Sequence, residues 1–388
     1  MQPTSPAEKP PTIHFISLLR GVASLLVMWD HLVGIWTDRY KIAFAPLGLV
    51  RDYINRPLVI IQDFGYLGVA FFFFVSEFII THVAQRETRL VFAVKRLFRI
   101  YPPLIVSIVA IYALQRMLNV FVTGANGAVG YLNYDQTIAE MSLRRVLFSM
   151  TLLNYLRPQH GVVNGVAWTL VIEMIFYALC FLALPLLKRR PALAAAALAG
   201  VVALILYESR AFGPSFFLFA VSCSYVPLLL IGQLTYLLWS GKIGRWPFAA
   251  LAIANYVVFI SGVRQIYPQF YEPASSYGVS SLYAFAVFAI LLLLNSSLRV
   301  PRLLNFYSKI SFSLYLYHGT VGMLALGLLY PLAGYPVALV LAVGAATGAS
   351  YLSWRLVEEP SQAAARRLLR RLAGSRQPEP KLDMPTVR

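Results

Sequence analysis

The sequence is poor in charge and nearly free of cysteine. Of 388 residues only 13% are Asp, Glu, Lys or Arg, and there are two cysteines. So little charge excludes a disordered, highly solvated chain and falls well below the roughly 25% of an ordinary soluble domain. Cys180 and Cys223 lie in apolar runs with neither disulfide nor metal spacing, and are read as packing groups. Metal-ligand spacing is missing too: no two histidines share a helix at ligand distance, and the acids Asp135 and Glu140 are dispersed, so no metal is expected. There is no internal repeat, which removes the paired halves common in secondary transporters. Nor does the start, MQPTSPAEKPPT, read as a cleavable signal. It is polar and Pro-rich, and the apolar run after it exceeds a signal core, so the first span is expected to stay in the membrane.

What fills the chain instead is 59% hydrophobic and 14% aromatic residues. This composition predicts an all-α polytopic membrane protein, in which a span needs about 20 mainly apolar residues. Such stretches fall near 13–36, 63–84, 97–118, 165–187, 192–208, 214–239, 246–263, 278–296, 309–330 and 333–357. That gives about ten spans, with ends placed to within a few residues. The run RRVLFSMTLLNYL (144–156) is too short to cross and is read as a re-entrant or interfacial helix.

Basic residues orient the spans. With the N-terminus inside, the inner loops hold Arg86, Arg89, Lys95, Arg96 and Arg99, then Lys188, Arg189 and Arg190, then Lys242 and Arg245, then Arg299, Arg302 and Lys309. Outer basics are fewer and scattered, so both termini are placed in the cytoplasm. The net charge of +17 is therefore topology, and no nucleic-acid partner is expected. The expected organisation is a cytoplasmic segment over 1–12, a membrane domain over 13–360, and a basic cytoplasmic tail over 361–388, whose AAARRLLRRLAG alternates basic and apolar groups at helical spacing to suit an anionic lipid surface and whose end reads as disordered.

Ionisable groups within spans cost about 2.5 to 3.5 kcal/mol each on insertion scales, and so mark candidate sites. In FISLLRGVASLLVMWDHLVGIW, Arg20 and His31 are eleven residues apart, which puts them on nearly one helix face, about 16 Å apart along the axis. Asp30, next to His31, points about 100° away. Lys95, Arg96 and Arg99 in KRLFRIYPP sit at the inner mouth of the third span, spaced either to receive phosphates or to act as a positive-inside anchor. Glu173 in AWTLVIEMIFY has no partner nearby in sequence and needs a proton or a cation. His14, His82 and His160 read as ordinary interfacial or loop histidines, while His318 divides between a structural bond and a second active-site role.

Taken in order, Arg20-x10-His31, FFFFVSEFIIT (71–81), KRLFRIYP, WTLVIEMIFY, SFSLYLYHG (311–319) and VEEP (357–360) resemble the acyltransferase family 3 membrane proteins over residues 13–360. These are bacterial inner-membrane, multi-pass enzymes that O-acylate extracytoplasmic sugars from acyl-CoA. The resemblance implies that Arg20 and His31 are the essential first-helix pair, and that Arg96 and Arg99, with Lys95 beside them, receive the CoA phosphates. It aligns Trp168, Thr169 and Glu173 with the family's Trp-Ser-Leu-x-x-Glu, Thr169 preserving the hydroxyl. Tyr315 and His318 fall in the late aromatic motif, Glu358 in the closing Glu-x-Pro, and Ser76 in Phe-x-x-Ser. Where the family usually has Gly after that serine, this chain has Glu77. Gly suits close helix packing, whereas Glu77 needs a polar cavity or a proton, and Glu77→Gly is expected to be tolerated.

The expected catalytic set is thus His31, as general base, with Arg20 and with Glu173, which is expected either to orient His31 or to position the sugar. Ser76, Trp168, Thr169, Tyr315 and His318 are expected to support the substrates. Acetyl-CoA or another acyl-CoA is the expected donor, a glycan or lipid-linked glycan the acceptor, and membrane lipids the surroundings. The chain ends in a short basic tail with no fused outer domain, which favours a small or lipid-linked acceptor. A sugar or lipid flippase is the rival reading, since buried charge also marks translocation paths. A membrane glycosyltransferase would need an acidic metal cluster that the outer loops lack.

Overall fold

The computed structural model describes residues 14–124, 131, 135–157, 161–266 and 274–373. Among these residues every regular element is helical, and no strand occurs. The first span opens as α1 (His14–Trp29), then widens into a π-helical segment at Asp30–Ile35 and closes as a short helix, Trp36–Tyr40. A cap of short helices, including Ala45–Val50 and the π-helical Arg51–Asn55, leads to α2 (Gly65–Ala84). Next come α3 (Arg89–Gly124), α4 (Trp168–Arg189), α5 (Pro191–Tyr207), α6 (Pro214–Cys223), α7 (Val226–Trp239), α8 (Arg245–Ile266) and α9 (Ala274–Leu293). The chain finishes with α10 (Arg302–Tyr317), a π-helical segment at His318–Gly322, α11 (Met323–Ser353), a third π segment at Trp354–Glu358 within the spanning region, and α12 (Glu359–Ala373).

Eight described stretches are long and apolar enough to cross a membrane, and two differences from the sequence reading follow from local chemistry. The segment read as 192–208 forms α5, which at 17 residues falls short of a full crossing length. The last two predicted spans run together in one helical stretch, Arg302–Leu372. At about 1.5 Å per residue that stretch is far longer than the bilayer, and it is interrupted at Gly334, whose φ of 72° and ψ of 166° only glycine takes without strain. After that break Tyr335 donates to the Leu32 carbonyl at 2.9 Å, returning the chain to the first span.

The third span also starts earlier than expected. α3 begins at Arg89 and continues through Pro102 and Pro103, so Lys95, Arg96 and Arg99 are carried within its first three turns instead of in a loop before it. Membrane helices accommodate such prolines when neighbours supply the missing contacts. The run at 144–156 does not cross: it breaks into Leu143–Ser149 and a turn at Leu153–Leu156, with Leu152 left-handed (φ 64°) between them. His160, the end of the tail beyond Ala373 and much of the Tyr/Pro-rich loop after Ile266 lie outside the described residues.

The helix pairing that matters most for function is α1 against α10. Gly21 lies on the Leu304 backbone, where a Cβ would collide with the carbonyl oxygen, while Arg20 meets Ser311, His31 meets His318 and Leu32 packs on Gly322. From Gly21–Leu304 through His31–His318 to Leu32–Gly322 both residue numbers rise, so the two helices run parallel. α2 runs the other way along α1, with Gly65 beside Asp30 at one end and Phe78 against Phe15 at 5.5 Å at the other. Their apolar faces, with α7 and α9, form the main core around Phe15, Phe74, Phe78 and Phe288. A second core joins Leu32 and Trp36 to Ile310, Leu314 and Ala338.

Candidate active site

A narrow cavity of about 60 Å3 opens among α1, α2, α3, α4 and α10. On α2 the residues facing it are Val69, Phe72, Phe73, Ser76 and Glu77, a helical stripe at i, i+3, i+4, i+7 and i+8. The other walls bring Arg20 from α1, Arg99 from α3, Thr169 and Glu173 from α4, and Ser311 and Tyr315 from α10. Six sequence-predicted site residues thus meet in one space: Arg20, Ser76, Arg99, Thr169, Glu173 and Tyr315.

Most polar groups of this slot hold one another. Arg20 donates from Nε and Nη2 to Ser311 Oγ at 3.3 and 2.7 Å, and Ser311 in turn donates to the Ser308 carbonyl at 2.9 Å. Thr169 Oγ1 donates to the Tyr315 hydroxyl at 2.8 Å, which donates to the Val166 carbonyl at 2.7 Å. Glu173 accepts a hydrogen bond from Tyr177. Arg99 is the exception. Its guanidinium lies over the Phe312 ring at 5.8 Å. Among the described residues it makes no hydrogen bond or ion pair, although Glu358 and Glu173 are within electrostatic reach. Glu358, buried, accepts from Ser313 Oγ at 2.9 Å instead.

The other two cations of KRLFRIYPP do not line the slot. Arg96 sits between the Phe92 and Tyr177 rings at 5.6 and 5.9 Å, with its Nε buried and unpartnered. Lys95 pairs with Glu87 at 2.8 Å. Trp168 packs on Tyr225 at 5.4 Å, outside the slot, and His82 bonds Tyr236 at 3.2 Å.

Above the slot the two histidines meet edge to face, their ring centroids 4.6 Å apart. Each ring folds back on its own helix. His31 Nδ1 lies 2.9 Å from the Val27 carbonyl and His318 Nδ1 lies 2.8 Å from that of Leu314. A carbonyl only accepts, so both Nδ1 atoms carry the hydrogen and both Nε2 atoms hold a free lone pair. The His318 Nε2 is sealed without a partner, whereas the His31 side chain keeps 23% of its surface open. Gly319 leaves room beside the ring, since a Cβ there would stand 3.7 Å from His31 Cδ2. Tyr315, 6.1 Å from His318, connects this pair to the slot. Both histidines occur at π-helical segments, a feature frequent at functional sites.

Two expectations about His31 are resolved by this geometry. Arg20 and His31 do share the side of α1 that faces α10. Glu173 does not orient the imidazole: Val27 holds Nδ1, and Glu173 is engaged by Tyr177. Asp30 Oδ2 stands 3.9 Å from His31 Nδ1, too far for a hydrogen bond.

Beside Asp30 is a cluster that no sequence pattern announces. Arg51 of the cap binds Asp38 with Nη1 and Nη2 at 2.9 and 2.7 Å, and Asp63 through Nε at 2.9 Å and through Nη2. Asn55 also donates to Asp63 at 3.0 Å. Asp63 first and Asp38 second push the Arg51 pKa above its ordinary value, so it stays charged. This clamp holds three consecutive left-handed residues, Gln62, Asp63 and Phe64 (φ 53, 43 and 74°). Ser311 and Ser313 were the other omissions. The signal for them was two serines two residues apart within an otherwise aromatic and apolar helix.

A helical membrane body with an internal charged slot, and with His31 and His318 paired outside its lining, defines a multi-pass membrane protein with ionisable groups inside its spans. The chain belongs to acyltransferase family 3: a family model described as an acyltransferase domain matches residues 13–355. It is similar to Nodulation protein 10 of Rhizobium leguminosarum bv. viciae, with 28% identity over 371 residues, covering 89% of this chain and 92% of that protein. No solved structure matches the chain.

Proposed function

We propose that this chain transfers an acyl group, acetyl by default, from cytoplasmic acyl-CoA to a hydroxyl of a cell-surface or lipid-linked carbohydrate across the bacterial inner membrane. The observation that carries the reading is the arrangement along α1. At one end Arg99, beside Arg20, is a cation without a carboxylate in contact, suited to phosphate. At the other, His31 presents a lone pair held in one tautomer. The parallel packing of α1 and α10 also supports ten crossings, because it needs an odd number between them, and counting α5 as a crossing makes that number seven. Inner-loop arginines and lysines then orient the Arg99 end toward the cytoplasm.

In the reaction, His31 Nε2 takes the proton of the acceptor hydroxyl as its oxygen attacks the thioester carbonyl carbon. The C–O bond forms, the tetrahedral centre collapses, and the C–S bond breaks. The leaving thiolate takes the proton back from His31, which returns to its starting tautomer. Val27 keeps Nδ1 protonated throughout, so Nε2 alone exchanges the proton. Arg99 and Arg20 hold the donor's anionic end, Arg20 being fixed by Ser311.

The test uses membranes bearing the wild-type chain or His31→Ala, radiolabelled acetyl-CoA, and a crude envelope-glycan fraction. Wild type alone should move label into alkali-labile ester on glycan. A well-expressed His31→Ala chain that still transfers would sink the base assignment. If the wild-type chain consumes no acyl-CoA, the flippase reading returns.

A further inference from the structure

Glu77 is buried with 0% of its surface exposed, yet its side chain lines the slot. Both carboxyl oxygens lack a hydrogen-bond partner, which a native fold rarely leaves without a reason. Its neighbours do not serve it. Ser76 is beside it on the same stripe; Arg96 and Cys180 stand within electrostatic reach without bonding it, and Gln233 on α7 directs its amide nitrogen to Cys180 Sγ at 3.5 Å. Across the slot Arg20, Thr169, Tyr315 and Glu173 are already engaged. The slot wall therefore contains an acceptor built in and left empty-handed.

Its position says what donor would reach it. Because α2 runs antiparallel to α1, Val69 lies toward the His31 end of the slot and Glu77 toward the Arg20 end. A thioester with its phosphates at Arg99 and its carbonyl at His31 has the first part of its linking arm at the Glu77 end of the slot. The walls there are Phe72, Phe73, Leu229 and Phe312, so the arm must be thin and mostly apolar, with an isolated N–H or O–H. The pantetheine arm of coenzyme A has this character: an aliphatic chain interrupted by secondary amides.

We infer that Glu77 is a binding residue for the donor's arm, its carboxyl accepting a hydrogen bond from a pantetheine amide N–H in the slot that Val69, Phe72, Phe73 and Ser76 continue toward His31. The inference rests on the acyl-CoA reading. It also changes the expected effect of replacing Glu77: turnover survives at saturating donor, while donor affinity falls.

The experiment compares wild type, Glu77→Gln, Glu77→Ala and Glu77→Met with two donors: acetyl-CoA, and S-butyl thioacetate, a thioester with no amide. Glu77→Met fills the same space without an acceptor and stands in if the alanine chain folds poorly. Losing this buried hydrogen bond should raise KM for acetyl-CoA about tenfold in Glu77→Ala and Glu77→Met. The expected kcat stays within about twofold and Glu77→Gln within about threefold of wild type, with S-butyl thioacetate kinetics unchanged. An unchanged KM for acetyl-CoA would mean that Glu77 is satisfied by water alone, and the inference falls. An equal rise for both donors would also overturn it, by showing a change of slot shape. If wild type uses neither thioester, the acyl-CoA reading is what has failed.

Discussion

Arg51 and Arg99 are both arginines at the edge of the same helical body, and they are treated in opposite ways. Arg51 is gripped by two carboxylates and anchors a strained turn, whereas Arg99 meets only an aromatic ring and an open slot. A charge that holds a fold together is paired inside the fold. One that waits for a ligand is left short, and the fold carries the cost of leaving it so. Lys95, about one turn from Arg99 and paired with Glu87, belongs with Arg51 in this contrast.

The sharpest way to break the comparison is Arg99→Met. If Arg99 awaits phosphate, KM for acyl-CoA rises about 10- to 100-fold, as two charge-assisted hydrogen bonds are lost, while thermal stability in detergent is unchanged or higher. A destabilised chain with normal KM would place Arg99 with the structural charges. Arg51→Met should do the reverse. It leaves Asp63 unpaired, and because Arg51 is 28% exposed the cost is discounted to about 1–3 kcal/mol, seen as a melting midpoint lower by several degrees. KM for the donor should hold. A cycle with Asp63→Asn sharpens this: the double variant should lose less than the two singles summed, by about 0.5–2 kcal/mol, since both remove one interaction. The smallest effect is expected for Lys95→Met, whose KM should stay within about threefold and whose stability should fall by no more than about 1 kcal/mol. A large KM rise there would return Lys95 to the donor site.

Much of the membrane body was legible because apolar length is a one-dimensional property, written in consecutive residues. The shared face of Arg20 and His31 was legible for the same reason, following from helical pitch along a single run. The tautomer of His31 was not, because it depends on the helix widening at Asp30 so that the ring folds back on Val27. The Arg51 clamp was hidden differently: its partners lie 13 and 12 residues away in irregular chain, where no period predicts who meets whom. Glu77 could be recognised as a departure from the family pattern, but only the packing of α7 shows that nothing answers it. The break at Gly334 falls just inside the predicted span 333–357, close to the expected junction at 331–332, and the return of Tyr335 to Leu32 needed the fold.

The parallel pairing of α1 with α10 also bears on when the protein becomes competent. Arg20 waits for a serine 291 residues later in the chain. At synthesis rates of about 5–20 residues per second, the first helix stands in the bilayer for roughly 15 to 60 s before Ser311 is made. During that interval the growing chain has a buried arginine without its clamp and a histidine without its neighbour. The α1–α10 pairing is therefore completed only near the end of insertion, and a ribosome stalled midway leaves a membrane fragment that holds Arg20 and His31 without the helix that faces them.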